Sequence, residues 1–392
     1  MSRRLELGLI SSGLICKVVV TVATTRRGGF ANKKHLEKMQ LRVEQLAEII
    51  KTAIILKVKT YFLKFLLTYF ANTFIFQFVQ ILQFNGRVIL RHNQTILVSC
   101  EVPWDEQEQL DESIFRQEIR HFISLGFRDM YIFGTAGEGH AVDTSRFTRI
   151  VQVFREETVQ DGMTAMVGVI GLSTANVVER LRIAHGAGFR YFQISLPSWG
   201  VLDEVETIRF FRDVCGAFPD SKFMHYNLLR SRRLLGAAEY RRIVDEIPNL
   251  VATKNTGTTV PGTIELMKTV PELQHFFGEA MFPTGCMFGE CSLLSSFGPM
   301  LPAKTKEFFE AGRTRQIEKL FLLQAEYLAA VADIQRPIQG TNRMDGAYDK
   351  MWVRLGGVPM PLRLLSPYES FSEDVLEQCR QILVERYSDW TH

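Results

Sequence analysis

The chain has 392 residues, 46 Lys and Arg against 43 Asp and Glu, and is 46% apolar and 23% charged, a balance that excludes disorder, collagen and a mainly membrane-embedded chain. Residues 1–92 hold 15 basic and 4 acidic residues, which leaves 31 basic and 39 acidic residues in 93–392. That larger, acidic part has no basic stripe, so it points to small-molecule chemistry and not to nucleic acid as its partner.

Residues 1–92 come first in the chain and need separate treatment, because targeting segments are set aside before a fold is read. Residues 1–34 carry seven basic residues with Glu6 as the sole acid, in the manner of an organelle presequence, but no clean cleavage site follows. Residues 62–84 are 16 of 23 apolar, long enough for a bilayer at about 1.5 Å per residue. Lys64, Asn72, Gln77, Gln80 and Gln83 weaken a span, and the last three recur on one face, as in an amphipathic or docked helix. Three readings stay open: a spurious upstream extension with the true start near residue 93, a basic targeting or membrane-surface appendage, and a transmembrane anchor. The expected location is the cytoplasm, or a mitochondrial or membrane-associated site if the extension is genuine.

From Gln94 the pattern becomes regular. Short β-rich runs at Thr95–Cys100, Met130–Phe133, Thr164–Val169, Tyr191–Ser195, Lys222–Tyr226, Leu250–Thr253, Gln274–Phe277 and Ser292–Ser296 alternate with helical segments such as Ser113–Leu125, Asp143–Glu157, Thr174–Ala187 and Ala237–Ile247. Gly126 and Gly188 follow two of these segments, where left-handed caps end helices. Eight strands predict a (β/α)8 TIM barrel over residues 93–305. Residues 306–392, with helices at Lys306–Ala332, Tyr348–Leu355 and Ser372–Glu385, form a C-terminal helical appendage. A doubly wound sheet is the alternative, but no G-x-G-x-x-G follows the first strand. The six cysteines form no C-x-x-C and no histidine falls in H-E-x-x-H, which predicts reduced core thiols, no metal and no cofactor.

In such barrels chemistry sits at the C-terminal strand ends. Strand 2 runs into Gly134-Thr135-Ala136-Gly137-Glu138-Gly139, whose backbone N–H groups and Thr135 hydroxyl suit a carboxylate; the alternative is a tight turn with Glu138 capping the next helix. Strand 5 ends in His225-Tyr226-Asn227, and a phenol there can shuttle protons. Lys254 directly follows strand 6; in a dry pocket its pKa falls and the amine becomes a nucleophile for carbonyls.

Together the G-T-x-G-E turn, the Tyr-Asn strand end and a lysine 28 residues beyond the tyrosine resemble the dihydrodipicolinate synthase/N-acetylneuraminate lyase family of class I aldolases, over about residues 94–365. The resemblance implies a Schiff-base lysine at Lys254, a proton-moving tyrosine at Tyr226, and a substrate-carboxylate cradle at Thr135 with the backbone of Ala136 and Gly137. It also implies pyruvate or another 2-oxo acid and an aldehyde as substrates, and a homodimer or homotetramer. Leu293 of strand 8 is placed with the substrate-binding residues on the same ground.

Four positions depart from the family pattern. Ala136 replaces a second hydroxyl residue, and Trp199, in the turn after strand 4, replaces a tyrosine that reaches the neighbouring subunit's site. Ser231 replaces the arginine for the second substrate's carboxylate, with Arg230 and Arg232 on either side as substitutes, and Asn255 replaces an acidic residue. These changes put 4-hydroxy-tetrahydrodipicolinate synthesis proper in doubt. A non-catalytic sugar-acid-binding or assembly protein is the more distant alternative.

Overall fold

The computed structural model describes residues 4–9, 16–21, 81–84, 87–159 and 162–391. The chain divides into two units, Met1–Phe78 and Val79–His392. In the first, Arg4–Leu9 pairs antiparallel with Cys16–Thr21. Residues 62–80 of the Phe-rich run lie outside the described residues, and Ile81–Phe84 forms a strand paired with Arg87–Leu90 rather than the end of a helix. Among the described residues, no helix is long and apolar enough to cross a membrane.

The second unit holds a closed barrel of eight parallel strands. They are β1 Ile96–Ser99, β2 Asp129–Ile132, β3 Thr164–Gly168, β4 Tyr191–Ile194, β5 Lys222–Asn227, β6 Leu250–Asn255, β7 Gln274–Phe277 and β8 Ser292–Ser295. Each is followed by a helix: α1 Glu112–Ser124, α2 Thr144–Thr158, α3 Thr174–Gly186, α4 Glu204–Cys215, α5 Ala237–Glu246, α6 Val260–Thr269, α7 Phe282–Phe288 and α8 Pro302–Arg313. Three more, α9 Ile317–Ile334, α10 Asp345–Leu355 and α11 Glu373–Tyr387, make the appendage.

Local chemistry accounts for these elements. Asp111, Asp143, Ser173 and Asp203 cap the starts of α1 to α4 with their side chains. On α1 the apolar Phe115, Ile119 and Phe122 fall at four- and three-residue steps and are all buried. Gly126 and Gly188 take φ of +88° and +98°, the left-handed conformation expected after α1 and α3.

Strand residues alternate between two cores, as the pleat requires. Leu97, Tyr131, Met166, Met224, Ala252, Phe276 and Leu294 fill the inside of the barrel. Val98, Met130, Ile132, Val167, Phe223 and Leu293 pack outward against the helices. The appendage has its own core, with Tyr327, Val331, Met351 and Trp352 at its centre.

Two predicted helices differ. The run Lys306–Ala332 is two helices, α8 and α9, broken where Arg315 adopts a φ of +56°. The eighth barrel helix therefore lies in what reads as the appendage. The helix expected from Tyr348 begins at Asp345, three residues earlier. Its preceding residue, Met344, makes no side-chain cap bond, so nothing in the local pattern marks the start.

His92 closes the N-terminal mouth of the barrel. Its N–H donates to the Val251 carbonyl at 3.4 Å, its ring stands edge-on to Tyr191 and Phe276, and Nε2 lies 3.6 Å from an Asp129 carboxylate oxygen. Arg91 beside it pairs with Glu290. A chain that begins at Arg91 keeps these contacts and all eight strands. It is expected to be soluble, to melt within a few degrees of the full chain and to match its activity; a large drop in melting temperature would show that residues 1–90 support the barrel.

Candidate active site

The turn after β2 is built on an unusual backbone. Phe133 and Glu138 take φ of +61° and +55°, a region that non-glycine residues seldom occupy. The Phe133 ring is locked by stacking on Phe147 at 4.8 Å. Its carbonyl is pressed against Gly168, where an added Cβ would lie 2.2 Å from that oxygen. The close approach explains the glycine and holds the turn that presents Thr135.

Glu138 does not cap α2; Asp143 does. Glu138 is buried and accepts hydrogen bonds from Trp104 Nε1 at 2.8 Å, Lys350 Nζ at 2.7 Å and the Leu365 N–H at 2.7 Å. Lys350 lies on α10, so a buried ion pair ties the β2 turn to the appendage. Removing one partner of such a pair leaves an uncompensated charge and costs about 3–5 kcal/mol.

Lys254 lies within β6, not beyond it. Parallel register sets Lys254 directly beside Tyr226 of β5. The spacing of 28 residues is thus one strand-to-strand step through α5. Asn227 and Asn255 fix the two strand ends: Asn227 Nδ2 donates to the Leu235 carbonyl at 3.0 Å and to Asn255 Oδ1 at 3.3 Å.

The Lys254 amine is wedged between two rings, 3.9 Å from the Tyr226 centroid and 4.1 Å from that of Tyr131, and it donates to the Tyr131 hydroxyl at 2.8 Å. Burial lowers its pKa to about 7, against the opposing pull of Asp349, Glu101 and Asp345. A useful fraction is therefore neutral amine near neutral pH. Burial raises the pKa of Tyr226, offset in part by hydrogen bonding to Thr135 and Thr256, so it stays a phenol.

A cavity of about 400 Å³ opens over this amine. Of the predicted residues, Thr135, Ala136, Tyr226, Arg230 and Lys254 line it. The others do not. Gly137 packs behind the turn, where a Cβ would come 2.9 Å from the Phe133 nitrogen. Arg232 points its guanidinium at the Trp199 carbonyl, 2.9 Å away, and Trp199 is 82% exposed. Leu293 faces the outer core, and Leu294 lines the cavity in its place.

Further lining residues lie outside the predicted set, among them Tyr131, Thr256, Ser296, Asp345 and Asp349. Tyr131 was legible as an inward-facing position of β2. The two aspartates come from α10, which lies so close to the turn that a Cβ on Gly346 would sit 2.6 Å from the Ala136 carbonyl. Burial and repulsion from Glu101 and Asp345 push the Asp349 carboxyl well above its usual range. Asp345 instead binds Arg230, Oδ1 to Nη2 at 2.5 Å. Among the described residues no group of His, Cys, Asp and Glu is arranged to hold a metal ion.

Known proteins share this fold at low identity. The N-acetylneuraminate lyase of Salmonella typhimurium is 20% identical over 235 residues, which cover 59% of this chain and 78% of the lyase. A prophage protein of the dihydrodipicolinic acid synthase family from E. coli K12, solved in complex with pyruvate, superposes with a TM-score of 0.67 at 19% identity, over 74% of this chain and 98% of its own. A catalytic lysine mutant of the Ruminococcus gnavus sialic acid aldolase superposes with a TM-score of 0.67 at 15% identity, over 77% of this chain and all of its own. At these identities the superpositions establish the fold. The family model for the dihydrodipicolinate synthetase family matches residues 92–386, the barrel and nearly all of the appendage, and the chain belongs to that family.

Proposed function

We propose that the protein is a class I aldolase-type lyase, in which Lys254 forms a Schiff base with pyruvate or a related 2-oxo acid. The observation that carries this reading is the Lys254 amine itself: buried, shifted to about 7 and held between two phenols at a cavity of about 400 Å³. A neutral amine attacks the ketone carbon and the carbonyl oxygen takes a proton. Tyr226 donates as that oxygen departs as water. The resulting iminium accepts the electron pair of the adjacent C–C bond when an aldol substrate breaks, leaving an enamine and an aldehyde; condensation is the reverse. The Thr135 hydroxyl and the backbone at Ala136, both in the cavity lining, hold the oxo-acid carboxylate in this reading. The solved relative bound to pyruvate supports that choice of substrate class.

The test is covalent trapping. Incubated with pyruvate and quenched with borohydride, the protein is expected to gain the mass of one reduced pyruvyl group at Lys254. Because only the neutral amine attacks, the initial rate of adduct formation should rise about tenfold per pH unit below 7 and level off above it. A rate that keeps rising past pH 8.5 would place the reactive nitrogen on a lysine of ordinary pKa elsewhere. No adduct with any 2-oxo acid would favour the non-catalytic alternative.

We also propose that Trp199 anchors a homo-oligomer. A tryptophan 82% exposed and outside the cavity is an unusual surface residue, and large aromatics are favoured interface anchors. Trp199→Ala should dissociate the assembly on dilution, at a cost of about 2 kcal/mol or more, while Trp199→Tyr assembles normally. Light scattering over a dilution series reads both; an alanine variant as tightly assembled as wild type would remove Trp199 from the interface.

A further inference from the structure

The side of the cavity formed by α10 has a composition that bears on the second substrate. It carries Asp345 and Asp349, and Arg230, the one guanidinium of the lining, is already held by the Asp345 carboxylate at 2.5 Å. Both aspartates lie one turn apart on α10, so their side chains share a face of that helix. Other polar groups of the lining include the hydroxyls of Thr256 and Ser296.

We infer that this side of the cavity selects an uncharged, hydroxyl-bearing aldehyde and discriminates against one that carries a second carboxylate. The inference rests on the Schiff-base reading above and concerns only the acceptor. The oxo acid's own carboxylate has the β2 turn. A second carboxylate would need a free cation on the α10 side, and would meet two carboxyl groups there instead. A carboxylate taken into a partly enclosed site with no uncommitted cation to pair with loses its hydration uncompensated, a rejecting element of the kind from which specificity is often built. Hydroxyl groups meet no such penalty: carboxyl oxygens accept their hydrogen bonds, and a protonated carboxyl can also donate.

The sequence departure at Ser231 takes on a different meaning in this light. Arg230 stands beside the position where the family pattern has its carboxylate-binding arginine, yet it is committed to an aspartate that comes from α10. Asp345 therefore acts as a specificity-determining residue, neutralising the one group that would otherwise welcome an acidic acceptor.

The experiment uses the full-length protein with pyruvate as donor and two acceptors in parallel, D-glyceraldehyde and succinic semialdehyde. Wild type is expected to give a kcat/KM for glyceraldehyde at least about tenfold above that for succinic semialdehyde. Asp345→Asn, which releases Arg230 while keeping the side chain's shape, should narrow or invert that ratio, mainly by lowering KM for the acidic aldehyde. Asp349→Asn should move the ratio in the same direction by a smaller amount. Because the readout is a ratio within one preparation, a partly folded variant does not distort it. A wild-type preference for the acidic aldehyde, or a ratio unchanged in both variants, overturns the inference. Borohydride trapping of wild type with pyruvate alone separates the two levels. An adduct with the wrong acceptor preference sinks only the acceptor assignment, whereas no adduct sinks the Schiff-base reading and this inference with it.

Discussion

Lys254→Arg is expected to abolish the borohydride-trapped adduct and to reduce aldol turnover by about 10⁴-fold or more, the scale seen when a covalent nucleophile is removed. A guanidinium stays protonated and cannot form the imine. The substitution also changes stability. Lys254 has a pKa near 7 in the folded protein and its ordinary value of 10.5 when exposed. Between those values the unfolded chain binds the proton and the folded chain does not, so this group makes the wild type more stable as pH rises from 7 towards 10.5. Arginine has no such window and places a permanent cation between the Tyr131 and Tyr226 rings. Lys254→Met, similar in length and uncharged, separates the effects: it should melt at or above the wild type at neutral pH and still form no adduct. Trapping of pyruvate by either variant would show that another amine carries the chemistry.

How far the site was legible follows from the kind of information each residue carries. Lys254, Tyr226 and Thr135 stand at the ends of strands, and a parallel barrel sends every strand end to the same mouth, so a local pattern sufficed to bring them together. Leu293 was misplaced because strand parity flips with a single residue of register: Leu293 faces the helices and Leu294 the cavity. Glu138 reads locally as a helix cap because it sits just ahead of α2. Its true partners, Trp104, Lys350 and the Leu365 N–H, are 34, 212 and 227 residues away in the chain. The aspartates of α10 were the least visible. Their helix starts without a side-chain cap, and whether they meet Lys254 depends on how α10 crosses the barrel mouth, a matter of tertiary packing at Ala136 and Gly346. Local pattern thus brought the proposed nucleophile and relay to one mouth, while the α10 residues that line the cavity belong to the long-range packing of the appendage.

Tyr226→Phe is expected to lower turnover by roughly 10²–10⁴-fold, the range for loss of a positioned proton carrier, with a smaller change in KM. The ring still packs against the Lys254 amine, 3.9 Å from its centroid, so the pocket's shape is kept and only the hydroxyl is lost. Tyr131 is the necessary comparison, because its hydroxyl, not that of Tyr226, accepts the hydrogen bond from Lys254 at 2.8 Å. Removing that acceptor in Tyr131→Phe takes away a bond that favours the charged ammonium, so the Lys254 pKa should fall below 7 and the rising limb of the trapping rate should move to lower pH. The two variants therefore divide the labour between the phenols. If Tyr226 relays protons, its variant loses turnover and leaves the midpoint of the pH profile in place. If Tyr131 sets the state of the amine, its variant shifts the midpoint and retains most of the turnover above it. Turnover lost in Tyr131→Phe and kept in Tyr226→Phe would reverse the assignment, and the proton would then travel along the bond that the structure shows from Lys254 to Tyr131.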